Sequence, residues 1–266
     1  PFSVGLETLN ALSTNFSIKL IDDRSNIILH ERFEKGKALK ESPSNQFLTC
    51  AEMEVECSLD ASIWESSFVL NPIFILDEIK HFAYLNRNVQ FEVKYSDDNR
   101  PCRIIYHFKH GLQDQLRFEQ RNGLGRNIFE THINASLEGF KIEIAFAFRE
   151  YGVDESILKS YVNNYYTHEN GTHVDALLKG LTYGVMQYFQ KQEVTHYRIS
   201  EKGIRESLVA FLHIQLDEPR FVGCVRNKLA NPEILEPISN LVAEVLFQKM
   251  ELEAEATQQL IRKFEI

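Results

Sequence analysis

The stretch YVNNYYTHENGTHVDALLKGL, residues 161–181, changes from irregular to helical patterning near its centre. Asn170–Gly171 is a dipeptide typical of turns and predicts one there. Thr172 follows it in the position of a helix cap. Beyond it, apolar residues recur at helical spacing over 173–192 and predict a helix. The segment before the turn, 155–167, fits a strand or a helix by its pattern.

The rest of the second half alternates strand and helix patterns around this stretch. Gly180 and Gly184 weaken the central helix on propensity alone. The predicted neighbours are a strand at 102–108, a helix at 111–122 with Leu112, Leu116 and Phe118, a hairpin of 127–136 and 140–150 turning at Leu137–Gly139, and a buried strand at 206–218.

A helical period persists from Glu233 to Phe264, with Pro237 in its first turn, where proline is tolerated. A continuous helix of about 30 residues would span roughly 45 Å at 1.5 Å per residue. Such a length suggests a rigid connection to another domain. A solitary helical tail or a dimerising coil would give the same pattern.

The first half predicts a second α+β unit. A short helix carries Leu6, Leu9 and Leu12, and strand patterns at 16–22, 26–34 and 51–58 predict an antiparallel meander with one wet face. A helix follows at 75–86, with Ile75, Ile79, Phe82 and Ala83 on one face, and then a strand at 89–96. The turn formers of SDDNRP, 96–101, predict a linker. The chain therefore divides into domains at 1–99 and 100–266, and its fold class is α+β.

The charge of the chain is acidic and uneven. Its 266 residues carry a net charge of −9, of which the first 99 residues hold 9 Lys/Arg against 16 Asp/Glu. This argues against a protein that coats nucleic acid over its whole surface but allows a local basic cluster. No apolar run is long enough to predict a membrane span. The four cysteines form no CxxC pair and are interpreted as reduced cytosolic thiols. Because the chain begins at Pro1 without a signal-peptide pattern, we expect it to be part of something longer.

Residue patterns alone predict no catalytic centre. His107 and His110 stand three apart, so a strand would place them on opposite faces and no metal site is predicted. No serine or cysteine lies in a nucleophile motif, and Glu52, Glu54 and Glu56 are interpreted as a solvated strand face. NGLGRN, 122–127, does not lead from a strand into a helix, so it is interpreted as a turn. PRFVGCVRNKLANPEI, 219–234, is either a loop that reaches for phosphate or a solvated turn.

Taken together, two segments resemble a known family. YVNNYYTHENGTHVDALLKGL and SEKGIRESLVAFLHIQLDEPRFVGCVRNKLANPEI are similar to the transducer domain of type IIA DNA topoisomerase B subunits, the ATPase subunits of DNA gyrase and topoisomerase IV. That family has the phrases F-V-N-N, E-G-G-T-H, D-V-R-E-G-L and P-x-F-x-G-Q-T-K-x-x-L-G-N in this order. The matching residues are Val162, Asn163, Asn164, Glu169, Gly171, Thr172, His173, Arg205, Glu206, Leu208, Pro219, Phe221, Gly223, Leu229 and Asn231.

The first half resembles the end of the preceding ATPase domain in the same family, of the gyrase–Hsp90–histidine kinase–MutL type. SVGLETLNALS, MEVECSLDASIWE and FAYLNRN are similar to G-V-G-x-x-V-V-N-A-L-S, G-T-x-V-x-F-x-P-D-x-x-I-F and L-A-F-L-N-x-G, and HGLQDQL to the segment that opens the transducer. The resemblance implies a partial ATPase sandwich at 1–99 and a ribosomal-S5-like transducer at 100–266 with a long C-terminal helix.

The resemblance also implies a function. Members of the family use ATP with Mg²⁺, dimerise through the ATPase region, bind DNA with a topoisomerase A subunit, and act in the cytoplasm without a membrane. The residues implied in nucleotide binding are Val4 and Gly5, from the end of the glycine-rich lid, with Gly223 and Arg226. The family's general base, Mg²⁺ ligand and D-x-G-x-G loop have no counterpart in this chain, so it carries no catalytic residue.

Departures from the family leave two interpretations open. Ser3 replaces a lid glycine, the threonine expected near Glu52–Met53 is not kept, and the Q-T-K triplet is Cys224-Val225-Arg226. Arginine keeps the charge of lysine, whereas cysteine cannot replace the hydrogen bonds of glutamine. The chain is therefore either part of an ATP-hydrolysing topoisomerase or a divergent paralogue whose decayed ATP site serves binding or regulation. A small-molecule kinase would need a glycine–serine phosphate loop, which the sequence lacks.

Overall fold

The structure is a computed structural model that describes residues 4–22, 24, 26–39, 52–63, 71–97, 100–121, 127–149, 157–194, 197 and 199–264. The chain forms two compact units, residues 1–71 and 72–266, and each is treated on its own. Both combine helices with mainly antiparallel sheet, which confirms the α+β class. The turn predicted for NGLGRN, 122–127, lies outside the described residues except for Asn127, the first residue of β7.

The first unit is a helix beside a four-stranded antiparallel sheet. Its elements are α1 (Val4–Ala11), β1 (Ser13–Ile21), β2 (Ile27–Glu34), β3 (Lys37–Ala38) and β4 (Glu52–Leu59), and the strand order is β3-β2-β1-β4. The prediction of a meander is wrong, because β4 pairs with β1 instead of following β2 and β3. The single wet face is also wrong for β4. Met53 and Val55 are 53% and 38% exposed, since no described element of this unit covers their side.

The second unit begins with a helix and a two-stranded hairpin. They are α2 (Pro72–Leu85), β5 (Phe91–Asp97) and β6 (Arg100–Tyr106). Of the segment predicted to be a linker, residues 96–97 and 100–101 pair with each other at the ends of β5 and β6. The division into domains at residue 99 stays a prediction. Of the four apolar residues predicted on one face of this helix, Ala83 is buried, whereas Ile75 and Phe82 are exposed.

A five-stranded sheet forms the centre of the second unit. The strands are β7 (Asn127–Leu137), β8 (Phe140–Arg149), β9 (Ile157–Val162), β10 (Tyr165–Tyr166) and β11 (Leu208–Leu216), in the order β10-β9-β11-β8-β7, with β9 and β11 parallel. The predicted hairpin is confirmed, because Leu137 pairs with Phe140 and Gly139 takes a φ of 82° in the turn. The ambiguous segment 155–167 contains β9 and β10.

Helices cover both faces of this sheet. They are α3 (Leu112–Arg121), α4 (Thr172–Lys191), α5 (Glu201–Ser207), α6 (Leu235–Leu252) and α7 (Ala254–Ile261), with a 3₁₀ turn at Pro232–Ile234. Because α5 precedes β11, the strand predicted from residue 206 starts at Leu208. One apolar cluster packs the sheet against α4 and α6, and a second packs it against α3.

The two long helices α4 and α6 lie side by side and run in the same direction. The Ser239 hydroxyl of α6 donates to the Ala176 carbonyl early in α4, and Lys191 pairs with Glu251 where both helices end. A Cβ on Gly180 would lie 2.6 Å from the Ser239 carbonyl oxygen, and one on Gly184 would lie 2.9 Å from that of Ala243. The two glycines, predicted only to weaken α4, therefore allow α6 to approach it closely.

The predicted C-terminal helix is interrupted. Glu253 has φ −110° and ψ 69°, which ends α6 after 18 residues, or about 27 Å, and α7 starts afterwards. Leu260 of α7 is buried, and the Thr257 hydroxyl donates to the Met250 carbonyl at 2.9 Å. The terminal segment thus packs on its own unit, and the prediction of one continuous helix is wrong. Its role as a connection to another domain stays a prediction. No helix in the described ranges is both long and apolar enough to cross a bilayer.

Candidate functional site

The segment Pro219–Asn231, which follows β11, forms a loop whose two ends are joined by backbone hydrogen bonds. The Val222 N–H donates to the Lys228 carbonyl at 2.9 Å, and the Ala230 N–H donates to the Arg220 carbonyl at 2.7 Å. Phe221 and Leu229 form an antiparallel bridge between these two bonds. This closed end, residues 220–222 and 228–231, is called the loop base.

The loop base is bonded to the turn that starts α4. The Leu229 N–H donates to the Asn170 carbonyl at 3.0 Å, and the Thr172 N–H donates to the Leu229 carbonyl at 3.1 Å. Gly171 lies between these bonds with a φ of 131°, and a Cβ there would lie 2.2 Å from the Leu229 carbonyl oxygen. Only glycine fits this position, so the start of α4 and the loop base form one rigid piece.

A buried asparagine closes the loop base from the other side. The Asn231 side-chain oxygen accepts from the Arg220 N–H at 2.7 Å, and its amide nitrogen donates to the Glu218 carbonyl at 3.2 Å and to Glu233 at 2.9 Å. This amide and the paired Arg220 guanidinium lower the pKa of Glu233 to about 2. The Arg220 guanidinium forms an ion pair with Glu233 and is therefore held at the loop base.

The far end of the loop, residues 223–226, is called the loop tip and contrasts with the base. Gly223 has a φ of 74°, and a Cβ there would meet nothing within 4 Å. Cys224 and Val225 are exposed. Arg226 has a φ of 61°, and its guanidinium carbon lies 5.2 Å from the centre of the Tyr165 ring. Among the described residues no carboxylate pairs with Arg226, so a stacked cation is available at the tip.

The two other predicted nucleotide-binding residues belong to the first unit. The helix α1 begins at Val4, so the backbone N–H groups of Val4 and Gly5 lie in its first turn, where helices have no internal partner for them. A Cβ on Gly5 would meet nothing within 4 Å. Ser3 lies outside the described residues. Gly223 and Arg226 belong to the second unit, and the joint role of the four residues stays a prediction.

The prediction that the Thr172 side chain caps α4 is wrong. Thr172 is the first residue of the helix, Gly171 occupies the cap position without a side-chain bond, and the Thr172 hydroxyl has no partner among the described residues. The next residue, His173, is fully buried, with its Nε2 atom 3.2 Å from the Thr167 hydroxyl. Burial lowers the pKa of His173 to about 3, so its ring is neutral beside the loop base.

Sequence comparison assigns the family. The sequence profile of the family described as DNA gyrase B matches residues 111–265, more than half of the chain. The chain belongs to the DNA gyrase B family. This confirms the resemblance to type IIA topoisomerase B subunits that the sequence phrases indicated.

Individual members of the gyrase B family extend the match to the first unit. The DNA gyrase B protein of Staphylococcus aureus is 26% identical over 247 residues, covering 91% of this chain and 37% of that protein. Its counterpart from Staphylococcus epidermidis is 26% identical over 249 residues, with the same coverage. The chain therefore spans little more than a third of the length of the curated relatives it matches.

Solved structures share the fold. The topoisomerase IV ATP-binding domain of Francisella tularensis, in complex with a small-molecule inhibitor, superimposes with a TM-score of 0.79 at 21% identity, over 99% of this chain and 72% of that one. The 43K ATPase domain of Thermus thermophilus gyrase B, in complex with an aminocoumarin, gives a TM-score of 0.73 at 19% identity, over 98% and 71%. At these identities the likeness shows the fold alone.

The gyrase B phrases located the loop and included Gly171, Leu229 and Asn231, which hold its base, but they missed Tyr165. Tyr165, which stacks on Arg226, stands 61 positions earlier in the chain, and no spacing rule connects two such distant residues. The sequence phrase included Asn231 without indicating its role. The structure shows that its side chain is buried and joins both ends of the loop. Within the described ranges, no group of three His, Cys, Asp or Glu residues could hold a metal ion.

Proposed function

We propose that this chain is the ATPase and transducer region of a type II DNA topoisomerase B subunit, which couples ATP binding and hydrolysis to DNA strand passage. Membership of the gyrase B family supports this proposal, as does the match to gyrase B proteins over 91% of the chain. Residues 1–99 would be the end of the ATPase domain, and residues 100–266 the transducer.

The observation that carries the proposal is the contrast between a fixed loop base and a cation at the loop tip. The Arg226 guanidinium rests on the neutral ring of Tyr165, so it can leave that ring without breaking an ion pair. Gly223 leaves open space beside the tip. These residues fit a phosphate group, because a guanidinium forks onto its oxygens and glycine lets backbone approach.

ATP with Mg²⁺, when bound, supplies the anionic γ-phosphate and the energy of its hydrolysis. The residues of this chain would bind the γ-phosphate and transmit its presence to the helices α4 and α6. Arg226, in the second unit, pairs with the phosphate. In the first unit, the first-turn N–H groups of Val4 and Gly5 are donors that suit an anion. Because the base is bonded to the start of α4 and runs directly into α6, displacement of the tip is passed to both helices. No residue of this chain is assigned to Mg²⁺ or to the hydrolytic step.

The same proposal includes the partners of the whole protein. They are DNA, a topoisomerase A subunit and a second copy of the chain that pairs through the ATPase region, all in the cytoplasm. The support is family membership together with the distribution of charge, because the second half of the chain is far less acidic than the first.

Substitution of Arg226 tests the proposal in the full-length protein. We expect Arg226→Ala to weaken binding of a non-hydrolysable ATP analogue at least about tenfold in calorimetric titration, the loss of one charged phosphate contact. Nucleotide-dependent dimerisation should fail as well, and Arg226→Lys should restore part of both because it keeps the charge. Arg220→Ala is the matched control, since it removes a cation of the same loop that is bound to Glu233.

Equal affinity in Arg226→Ala and the unaltered protein would contradict the assigned role of Arg226. The second candidate function, a divergent paralogue acting as a non-hydrolysing binding or regulatory module, is favoured by Cys224, which stands where the family has glutamine. It predicts that the unaltered full-length protein binds no analogue at all. The same titration therefore separates the two functions.

A further inference from the structure

The α3-covered face of the five-stranded sheet changes character along its strands. Near the middle it is apolar, with Ala145 and Phe211 paired across β8 and β11 beneath α3. Farther along, two successive rungs across β7, β8 and β11 are polar: Asn134–Glu143–His213 and Ser136–Lys141–Gln215. On the opposite face, the neighbouring rung Ala135–Ile142–Ile214 is apolar. Four of these six side chains are exposed, whereas Glu143 is partly buried and His213 is buried, so the last two need hydrogen-bond partners.

A cleft of about 370 Å³ separates these polar rungs from residues 86–89, the segment after α2. Arg87 lies over it, and with the Asn134 amide oriented so that its oxygen faces Arg87, both terminal guanidinium nitrogens donate to that oxygen at 2.8 and 2.7 Å. Lys141 and Gln215 are exposed at the open end, and His213 lies at the inner end with 4% of its surface exposed. The volume is at the lower end of the range for small-molecule sites.

A histidine that lines the cleft has an unsatisfied ring nitrogen. Nε2 of His213 is buried and has no hydrogen-bond partner among the described residues. Its cross-strand neighbour Glu143 is already engaged, because the Leu112 N–H and the His132 ring lie 3.2 and 3.1 Å from one carboxylate oxygen. Burial lowers the pKa of His213 to about 4, which keeps the ring neutral at pH 7. A buried polar atom left unpaired is destabilising, so a hydrogen-bond partner for this ring nitrogen would be stabilising.

The charges around the cleft indicate the class of that partner. Arg87 bonds a neutral amide, and neither Arg87 nor Lys141 forms an ion pair with any carboxylate in the described part of the chain. The nearest anion, Glu143, is held by the start of α3 and by His132. Two cations without counter-ions favour an anionic group, and the neutral side chains His213 and Gln215 suit hydroxyl groups.

We propose that this cleft binds a small organic anion that carries hydroxyl groups, with its anionic end between Arg87 and Lys141 and a hydroxyl on His213. The site lies wholly within the second unit and includes none of the residues assigned to ATP, so it is independent of the proposed function. Carboxylate and phosphate present the same chemistry here, and the experiment separates them.

The test follows the His213 ring directly. Protein labelled with ¹⁵N in its histidines is titrated with citrate and, separately, with ribose 5-phosphate at constant ionic strength, and the ring nitrogen signals are recorded. We expect a saturable shift of the His213 Nε2 signal with at least one probe. Lys141→Met should weaken that binding at least about tenfold, the effect of removing one of two anion contacts. Lys179→Met is the matched control, since Lys179 lies over the Tyr183 ring on α4.

The outcomes are distinct. A response to citrate alone or to the sugar phosphate alone supports the proposal and names the anion. Unshifted His213 signals with both probes, in protein whose spectrum is that of the folded chain, would overturn it and leave a cleft that holds only water. Unchanged binding in Lys141→Met would overturn it as well. Because Arg226→Ala should leave the His213 response intact, failure here and failure of the ATP proposal are distinguishable.

Discussion

The base and the tip of the Pro219–Asn231 loop differ in almost every physical respect, although only a few residues separate them. At the base, Leu229 and Asn231 are buried and their polar groups are paired with the start of α4 or with other parts of the loop. At the tip, Val225 is 72% exposed and Gly223 meets nothing. The difference teaches that the exposed tip is attached to a fixed base, so a ligand at the tip would act on a part of the loop that is bonded to the start of α4.

The substitution with the largest expected effect on stability is Gly171→Ala, at the loop base. Its Cβ would overlap the Leu229 backbone, and its φ of 131° belongs to a region that only glycine occupies readily. We expect the free energy of unfolding to fall by about 3 kcal/mol or more, because backbone strain and loss of the bonds at Leu229 add together. Urea unfolding measures this loss. A change below about 1 kcal/mol would mean that the base can rearrange.

A second test uses pH to disturb the base. The pKa of His173 is about 3 in the folded protein, against about 6.5 when unfolded, so below pH 6.5 the unfolded chain takes up a proton that the folded one refuses. The free energy of unfolding should therefore decrease as the pH is lowered from about 6.5 to about 3, by about 1.4 kcal/mol per pH unit.

The measurement for His173 is a set of urea midpoints at descending pH for the unaltered protein and for His173→Gln. The advantage of the unaltered protein should shrink as the pH falls below 6.5, since glutamine does not titrate. His213, whose pKa burial lowers to about 4, contributes equally to both proteins and cancels in the difference. Parallel pH profiles would show that His173 is not the group responsible.

The smallest effect is expected at the tip, from Gly223→Ala. The chemical change is that of Gly171→Ala, but the new Cβ meets open space, and only the φ of 74° opposes it. We expect a loss of about 1 kcal/mol, the cost of a left-handed residue other than glycine. If thermal or urea unfolding shows the two alanine variants to be equally unstable, the distinction between base and tip is wrong.

Local pattern predicted much of the fold, and long-range contacts account for what it missed. The strands at 127–136 and 140–150 and the helix at 173–192 follow from periodicity, since one buried face suffices to define them. Gly180 was predicted only as a weak point of α4, because the backbone of Ser239 that it admits lies 59 positions away. The break at Glu253 was also missed, since apolar spacing continues through it.

The candidate site, like the fold, was predicted from the sequence only in part. Family phrases identified Gly223 and Arg226, but a phrase records letters and not the contacts that those letters make. Tyr165 and the turn at Gly171 are joined to the loop only by the folded sheet and helix. The polar rungs that include His213 and Glu143 likewise require the register of β8 and β11, which no single strand specifies.

The parallel arrangement of α4 and α6 has an electrostatic consequence. Aligned peptide groups give each helix roughly half a positive elementary charge at its amino end. Antiparallel neighbours would cancel this field, but α4 and α6 both begin at the loop, so their partial charges add there. The backbone contribution at the loop base is thus positive, and the chain places three carboxylates there, those of Asp175, Glu233 and Glu236. The two helix starts therefore account for the acidic residues that the sequence concentrates at this end of the second unit.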